Sequence, residues 1–208
     1  MEENKKRNSD LTRRLLLDAV EVVLLERGYQ GLTVMNISNR AGVSKGMIKH
    51  HFGSLANLLN AYFHENDFWM PVVHTLGLTS TNPRDHLAAV LKHQFYKMLS
   101  NKGMQKFIYW QLGETDKITS GIAKAREMEA KKLLDKFKVQ FAGSDIDLET
   151  LVAILIQGIY ALVLQSVTHK STVFGLDIMQ ETDQLRVSST IDQVLTLVWD
   201  ASERKDDL

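Results

Sequence analysis

Apolar residues recur at helical spacing along most of the chain, and this pattern predicts an all-α protein. In the first predicted helix, five apolar residues follow the i, i+3, i+4, i+7, i+8 spacing of a helix with one buried face: Leu16, Ala19, Val20, Val23 and Leu24. Gly28 supplies a C-terminal stop, so the pattern places this helix at about residues 10–27. Alternating β-branched residues are scarce, which leaves little of the sequence for strands.

Two short helices are predicted next, with a glycine-centred turn between them. Thr33 can cap the first of these helices, and Gly42 ends it. Ser44 can cap the second, which we expect over about residues 45–51. Three helices with such a turn between the last two form a helix-turn-helix, and we assign it to an N-terminal domain over residues 1–54.

The remaining apolar stripes predict a larger helical domain over residues 55–208. Its first helix covers about residues 55–69, followed by a loop near Pro71 to Pro83 and by a helix that starts near Arg84. Four more helical segments are expected at 103–113, about 120–142, 148–168 and 184–202.

The third helix has two distinct faces when it is drawn at 100° per residue. With Lys45 at zero, Ile48 falls near 300° and Phe52 near 340°, so these two side chains define the buried face. Gly46, Met47 and His50 lie on the opposite face, which we therefore expect to point outward. Lys49 lies on the flank, and Lys45 lies in the first turn.

This arrangement suits a helix inserted into the major groove of DNA. Gly46 lets the helix approach closely, Met47 can touch a thymine methyl, and His50 can hydrogen-bond a base edge. The flanking cations and the hydroxyls at helix N-termini suit phosphate oxygens, and the predicted phosphate contacts are Thr33, Ser44, Lys45 and Lys49.

Metal binding and a solvated surface are the alternative explanations for the histidines and lysines. His50 and His51 are adjacent and point 100° apart, so they cannot face one metal ion from a helix, and we predict no metal site. His86 and His93 could share a helix face. Side chains that are hydrogen-bonded within the fold or exposed to solvent explain them better than a metal site does. A pair of lysines on a short helix usually lies on a solvated face. Only its combination with the outward residues Gly46, Met47 and His50 favours DNA binding.

Composition narrows the class of protein. Cysteine is absent, which excludes disulfide frameworks, thiolate zinc sites and cysteine nucleophiles. The polar N-terminus lacks the apolar core of a signal peptide, so we expect a cytoplasmic protein. The most apolar segment, residues 151–167, is slightly short for a bilayer and carries Gln157 and Gln165, so we expect a buried helix and no membrane span.

Charge is distributed unevenly although the formal net charge is zero. Residues 1–52 contain nine Lys or Arg against six Asp or Glu, and the rest of the chain carries the opposite excess. A modest basic excess of this kind permits a polyanionic partner.

The run from Leu15 to Leu59 resembles the N-terminal DNA-binding domain of the TetR family of bacterial one-component transcriptional regulators. The matching features are the helix ending in ERGY, the helix that Thr33 initiates, AGVSKG, and HHF with a serine two residues later. The resemblance implies a DNA-binding regulator with a helical effector-binding and dimerisation domain behind the helix-turn-helix.

Two departures from the family pattern alter the expected contacts. Position 49 is usually a phosphate-contacting tyrosine in this family, and Lys49 keeps a donor there and adds charge. The family usually opens the fourth helix with Ser-Lys-Glu, whereas this chain has Ser54, Leu55 and Ala56, so a phosphate-contacting lysine is missing. Lys49 adds one positive charge for phosphate contacts and the missing lysine removes one, so the two changes roughly cancel.

The second domain is expected to form a homodimer. The predicted helix at 148–168 carries apolar residues on nearly all faces, which calls for a second partner surface. The helix at 184–202 could complete a helical bundle with its mate in a two-fold dimer. Alternatively, both helices bury their apolar residues inside one monomer.

A ligand pocket in this domain would take a small, mostly apolar effector. Bulky apolar residues and a few polar tips form its predicted lining: Phe63, Trp69, Met70, Tyr96, Met98, Trp110, Gln111, Met128, Gln157 and Tyr160.

These features predict a ligand-responsive repressor that binds a palindromic DNA operator as a dimer and needs no cofactor. The alternative is a helical protein-interaction module of the same fold with weakened or lost DNA binding. No catalytic motif is visible, so we expect no enzyme activity. The acidic run DIDLE at 145–149 lacks the glycine of a calcium loop and fits a helix start.

Overall fold

A computed structural model describes residues 2–65, 82–114 and 117–203 of the chain. This part contains ten α-helices and no strand apart from one isolated bridge, which confirms the all-α prediction. The helices are α1 Glu2–Arg27, α2 Val34–Ala41, α3 Gly46–Phe52, α4 Leu55–Glu65, α5 Pro83–Ser100, α6 Lys102–Gly113, α7 Lys117–Asp135, α8 Lys138–Phe141, α9 Leu148–His169 and α10 Glu181–Glu203.

The described residues divide into two compact units. Unit 1 contains residues up to 65 and residues 102–124, and unit 2 contains residues 82–101 and 125–203. Unit 1 therefore holds the predicted helix-turn-helix together with α4 and α6. The functional domain boundary between residues 54 and 55 stays a prediction.

The core of unit 1 is built on α1, which packs against α2, α3, α4 and α6. The predicted apolar stripe of α1 is buried, and Ile37 of α2 and Leu58 of α4 are completely buried as well. Removing these side chains from water stabilises the unit by about 1.5–3 kcal/mol for each large aliphatic residue.

In unit 2, α9 and α10 both pack against α5. The apolar stripe of α5 is fully buried: Leu87, Val90, Leu91, Phe95 and Met98. Asn82 caps this helix by accepting from the Arg84 amide at 2.9 Å, with Pro83 in the first turn, where its missing N–H has no consequence. Lys92 Nζ lies 2.7 Å from Asp192 Oδ1 and joins α5 to α10.

Two helix boundaries differ from the predictions. α1 starts at Glu2 instead of near residue 10, because its polar first turns carry no apolar stripe to reveal them. The helix predicted over 120–142 is broken into α7 and α8. The break turns both Phe137 and Phe141 toward Trp199, with ring centroids 6.4 and 4.8 Å away.

α9 is less buried than predicted. It has 22 residues, one more than the predicted helix at 148–168, and by length and composition alone it could cross a membrane, a test that the core helix of a soluble protein also passes. The helix starts at Leu148 and ends at His169, on both sides of the apolar run at 151–167. Only 33% of its most apolar window is buried in this single copy of the chain.

The acidic run at 145–149 starts α9 as predicted. Asp147 Oδ1 accepts from the Thr150 amide at 2.9 Å and its Oδ2 accepts from the Thr150 hydroxyl. These hydrogen bonds hold the pKa of the Asp147 carboxyl below its usual range, and the charged cap matches the helix dipole. The loop predicted near Pro71 lies outside the described residues.

Candidate DNA interface

The buried side of α3 is the one that the sequence predicted. Ile48 and Phe52 are buried, and the Arg13 guanidinium of α1 lies 4.6 Å from the centre of the Phe52 ring. Arg13 also contacts Glu65 of α4 at 3.3 Å, so one side chain connects three helices of unit 1. These contacts fix how far α3 is rotated about its own axis.

The opposite side of α3 faces solvent. Lys45, Gly46, Lys49 and His50 are exposed, and Met47 is half-buried. A Cβ atom added to Gly46 would meet nothing closer than the Ser44 hydroxyl at 3.9 Å. The first turn of the helix can therefore approach a large ligand without a side chain in the way.

Thr33 caps α2 as predicted. Its hydroxyl oxygen accepts from the Asn36 amide at 3.2 Å, which leaves the hydroxyl hydrogen available to an acceptor. The Asn36 side chain donates to the Gly31 carbonyl and accepts from Arg27, at 2.9 and 3.0 Å, so the start of α2 is held from both sides. Gly42 ends α2 in the left-handed conformation with φ 67°, where a glycine is favoured.

The cap predicted at Ser44 was wrong. α3 begins at Gly46, and Lys45 occupies the cap position with helical dihedral angles and no side-chain capping bond. The first turn is closed instead by the Met47 amide, which donates to the Ser44 carbonyl at 3.0 Å. Because the chain is already helical at Lys45, the Ser44 side chain is displaced from the cap and stays exposed.

α4 keeps an ordered start although the usual lysine is missing from its first turn. Ser54 Oγ accepts from the Asn57 amide at 3.1 Å, and Asn57 Nδ2 donates to the Phe52 carbonyl at 2.9 Å. The second bond ties the end of α3 to α4. The orientation of α3 thus does not depend on residues 55 and 56.

No acidic residue occurs between Arg27 and His64, a stretch that contains α2, α3 and the turn between them. The nearest carboxylates bracket it, with Glu26 at 3.7 Å from Arg40 and Glu65 paired with Arg13. This local absence of negative charge is a stronger signal than the net excess over residues 1–52, and it was available from the sequence.

His51 was not among the predicted site residues. Its Nε2 atom is buried and has no hydrogen-bond partner in the described part of the chain. Burial, and then the neighbouring His50 and Arg13, lower the pKa of its imidazole, so His51 is neutral near pH 7. A neutral imidazole beside the outward face can donate or accept one further hydrogen bond.

The predicted effector-lining residues occur in both units. In unit 1, Phe63 and Trp110 are buried with ring centroids 6.1 Å apart, and both rings contact Phe107. Trp110 also stacks on Tyr29 at 5.2 Å, and the Tyr29 hydroxyl donates to Glu114. Gln111 is half-buried next to this aromatic cluster in sequence.

In unit 2, Met98 and Tyr160 are buried, and the Tyr160 hydroxyl lies 3.4 Å from Gln94 Oε1. Tyr96, Met128 and Gln157 are exposed in a single copy of the chain. Trp69 and Met70 lie outside the described residues. The lining set stays a prediction, and its member Tyr160 has a buried polar contact to Gln94, which was not predicted.

Two further features bear on the predicted sites. A depression of about 270 Å³ lies between α1 and α2, and its lining is mostly polar and shares no residue with the predicted effector set. Within the described ranges, no three His, Asp or Glu side chains come together as a metal site would require.

Comparison with known proteins identifies the N-terminal region. Residues 16–62 match the family described as bacterial regulatory proteins, tetR family. The HTH-type transcriptional regulator BetI of Burkholderia lata is 30% identical over 88 residues, which are 41% of this chain and 45% of that protein. The Transposon Tn10 TetC protein of Escherichia coli is 26% identical over 98 residues, 47% of this chain and 50% of that protein. The match thus spans about half the length of these curated relatives.

Solved structures extend the likeness of fold to most of the chain. The fatty acid degradation regulator FadR from Bacillus halodurans has a TM-score of 0.66 at 17% identity and covers 88% of this chain and 96% of its own. FadR from Bacillus subtilis, in complex with stearoyl-CoA, has the same TM-score at 18% identity, with the same coverage. A TetR family transcription regulator from Marinobacter aquaeolei scores 0.64 at 16% identity, over 94% of this chain and 97% of its own. Residues 16–62 are thus similar to the tetR family of bacterial regulatory proteins, and the described fold is similar to that of these solved regulators.

Proposed function

We propose that this protein is a ligand-responsive transcriptional regulator that binds a palindromic DNA operator as a homodimer and is released by a small, mostly apolar effector. The observation that carries the proposal is the outward face of α3, held over a buried Ile48 and Phe52 in a stretch without acidic residues. The BetI proteins among the matched relatives are named as HTH-type transcriptional regulators, which supports the proposal. A DNA-binding regulator acts in the cytoplasm.

The residues divide into two kinds of DNA contact. Gly46, Met47 and His50 face the base edges, where short, apolar and hydrogen-bonding side chains read sequence. Lys45 and Lys49 flank them and reach the phosphates, as do the exposed hydroxyls of Thr33 and Ser44. The phosphate contacts position the helix and the base contacts specify the site.

The incomplete burial of α9 and α10 supports the dimer. Ile154 of α9 is 64% exposed, and Leu185 and Leu197 of α10 are 58% and 65% exposed. Both helices pack against α5, and their outward sides form what we call the dimer face, which a second copy covers. A two-fold dimer presents two α3 helices to half-sites about one or more DNA turns apart, hence the palindrome.

Effector release follows from linkage between two sites. A ligand that fits better when the two α3 helices are spaced wrongly for successive grooves lowers operator affinity by its differential binding alone. The buried pair of Gln94 and Tyr160 can supply the polar contact for an otherwise apolar ligand in unit 2.

We expect an apolar effector to raise the melting temperature in a concentration-dependent way, because a hundredfold excess over its Kd adds about 2.7 kcal/mol to the free energy of unfolding. Thermal unfolding against a panel of apolar metabolites tests this. Stearoyl-CoA belongs in the panel, because a structural neighbour binds it. An effector must also release the duplex, and a panel that stabilises the protein without releasing DNA contradicts the linkage.

We expect Lys49→Ala to weaken binding to all duplexes by a similar factor and to reduce the slope of log affinity against log salt by about two, because each copy in the dimer loses one phosphate contact. Fluorescence anisotropy between about 50 and 200 mM salt measures both. Lys106→Ala, which removes an exposed lysine from α6, is the control and should change neither. Binding that is insensitive to salt in the wild type would favour the alternative, a protein-interaction module without DNA binding.

A further inference from the structure

The segment that connects α9 to α10 contains a two-residue turn. Val173 and Leu176 exchange two backbone hydrogen bonds of 3.0 and 2.9 Å, with Phe174 and Gly175 at the tip. Both tip residues have positive φ, 50° and 81°. This is the pattern of a type I′ hairpin turn, whose first position is normally Asn, Asp or Gly.

Phe174 is unusual at this position for two reasons. A bulky residue in the left-handed region is an outlier, since its Cβ is crowded by the following carbonyl. The side chain is also fully exposed, so in a single copy of the chain it gains no burial to offset that conformation. An aromatic that is both strained and unburied indicates a contact outside the protomer.

The base of the turn is firmly held. Ile178 is completely buried, and its carbonyl accepts from Gln184 Nε2 at 2.9 Å. Asp183 Oδ2 accepts from the Asp177 amide at 2.8 Å, and Arg186 donates to Asp183 Oδ1 at 2.7 Å. These contacts hold the base of the turn in place. Phe174 is therefore exposed at the tip of a well-supported turn and not in a loose loop.

We infer that Phe174 is an anchor that docks on the second copy of this chain, on the dimer face formed by α9 and α10. The inference rests on the proposed function, because that function supplies the dimer. The turn connects the two helices of the dimer face directly, so the anchor and the surface that would receive it are continuous along the chain. Two-fold symmetry then gives two equivalent anchors, one from each copy.

The size of the apolar surface favours this occupant. Ile154, Leu185 and Leu197 of the dimer face are exposed, and small or polar exposed positions also lie on these helices: Gln157, Gly158, Ala161, Ser189 and Gln193. A stable interface buries roughly 1,600 Å² in total, and one aromatic side chain buries about 150–250 Å². Two Phe174 side chains would thus add on the order of a quarter of such an interface to what the helices contribute.

The substitution Phe174→Asn separates docking from turn formation. Asn is favoured at the first tip position, so the protomer should be equally or more resistant to urea when measured at dilutions where it is monomeric. The dimer dissociation constant, from sedimentation or mass photometry, should rise roughly tenfold or more. Val139→Asn replaces a residue of α8 that is 83% exposed and should leave dimerisation unchanged. Phe174→Trp should retain it.

Several results would overturn the inference. An unchanged dissociation constant in Phe174→Asn would show that the tip contacts nothing in the dimer, and a less stable Phe174→Asn monomer would make the residue part of the protomer fold. Loss of binding to phosphatidylglycerol vesicles without a change in dimerisation would assign the tip to a lipid surface. A wild-type protein that stays monomeric rejects both the inference and the dimer, whereas a dimer that binds no duplex rejects only the proposed function.

Discussion

Gly46→Glu is expected to raise the melting temperature of the protein while abolishing its binding to DNA. Gly46 is the first residue of α3, its backbone is compatible with any side chain, and an added Cβ meets open space. Replacing a helical glycine contributes roughly 0.5–1 kcal/mol, and an acidic residue at a helix N-terminus contributes about 0.3–1 kcal/mol. For a chain of this length these gains correspond to a rise of roughly 2–4 °C per kcal/mol.

The same substitution places a carboxylate at the centre of the proposed reading face. It would fill the space that lets the helix approach the bases and would repel the phosphates on both sides of the groove. We expect affinity for a selected duplex to fall by about a hundredfold or more, the free-energy equivalent of about 2.7 kcal/mol. Differential scanning calorimetry and anisotropy on the same sample measure the two opposite effects.

Gly121→Glu is the matched control for this prediction. Gly121 is an exposed glycine of α7 with open space around its Cα, so its substitution should also stabilise the helix without changing DNA affinity. If Gly46→Glu binds duplex as the wild type does, the outward face of α3 does not read DNA. If it lowers the melting temperature, the start of α3 differs from the conformation described above.

Ile154→Asp is expected to dissociate the homodimer and thereby to remove tight operator binding. In a two-fold dimer the substitution buries two carboxylates without partners at one interface, and each such charge costs several kcal/mol. A monomer binds one half-site only and loses the effective concentration that links the two readers, which is worth about 10²–10⁴ in affinity. Sedimentation gives the mass, and anisotropy gives the affinity for full and half-sites.

The protomer should keep its fold, because Ile154 is exposed and the buried face of α9 is untouched. Far-UV circular dichroism of the variant checks this. Val139→Asp, at another exposed apolar position in unit 2, should remain dimeric. A dimeric Ile154→Asp protein with normal affinity would place the interface elsewhere.

The helix-turn-helix could be predicted closely because local physics determines it. Thr33 and Gly42 each act on their own backbone neighbourhood, and the spacing of Ile48 and Phe52 needs only the period of the helix. The cap was wrongly predicted at Ser44, because the apolar pattern allows the helix to begin at this residue or the next and the hydrogen bond from the Met47 amide to the Ser44 carbonyl closes the first turn without a side-chain cap. Cap positions shift by a residue without any change in the apolar pattern.

The effector-lining set stays a prediction, because the bulk and polarity of a side chain do not determine which helix face meets which neighbour. Met128 and Gln157 have suitable side chains yet are exposed, whereas Gln94, which lies beside Tyr160 in the core, carried no sequence signal. Phe174 illustrates the same limit, since its turn depends on two backbone angles that an aromatic residue rarely adopts.

The central claim is that α3 reads bases with Met47 and His50 while lysines hold the backbone. Selecting bound fragments from random duplex DNA with the wild type, with Met47→Ala, His50→Ala and Lys49→Ala, tests it most directly. We expect a palindromic consensus that changes at defined positions in Met47→Ala and His50→Ala and persists in Lys49→Ala. No consensus for the wild type, or the same consensus in all four proteins, would contradict it.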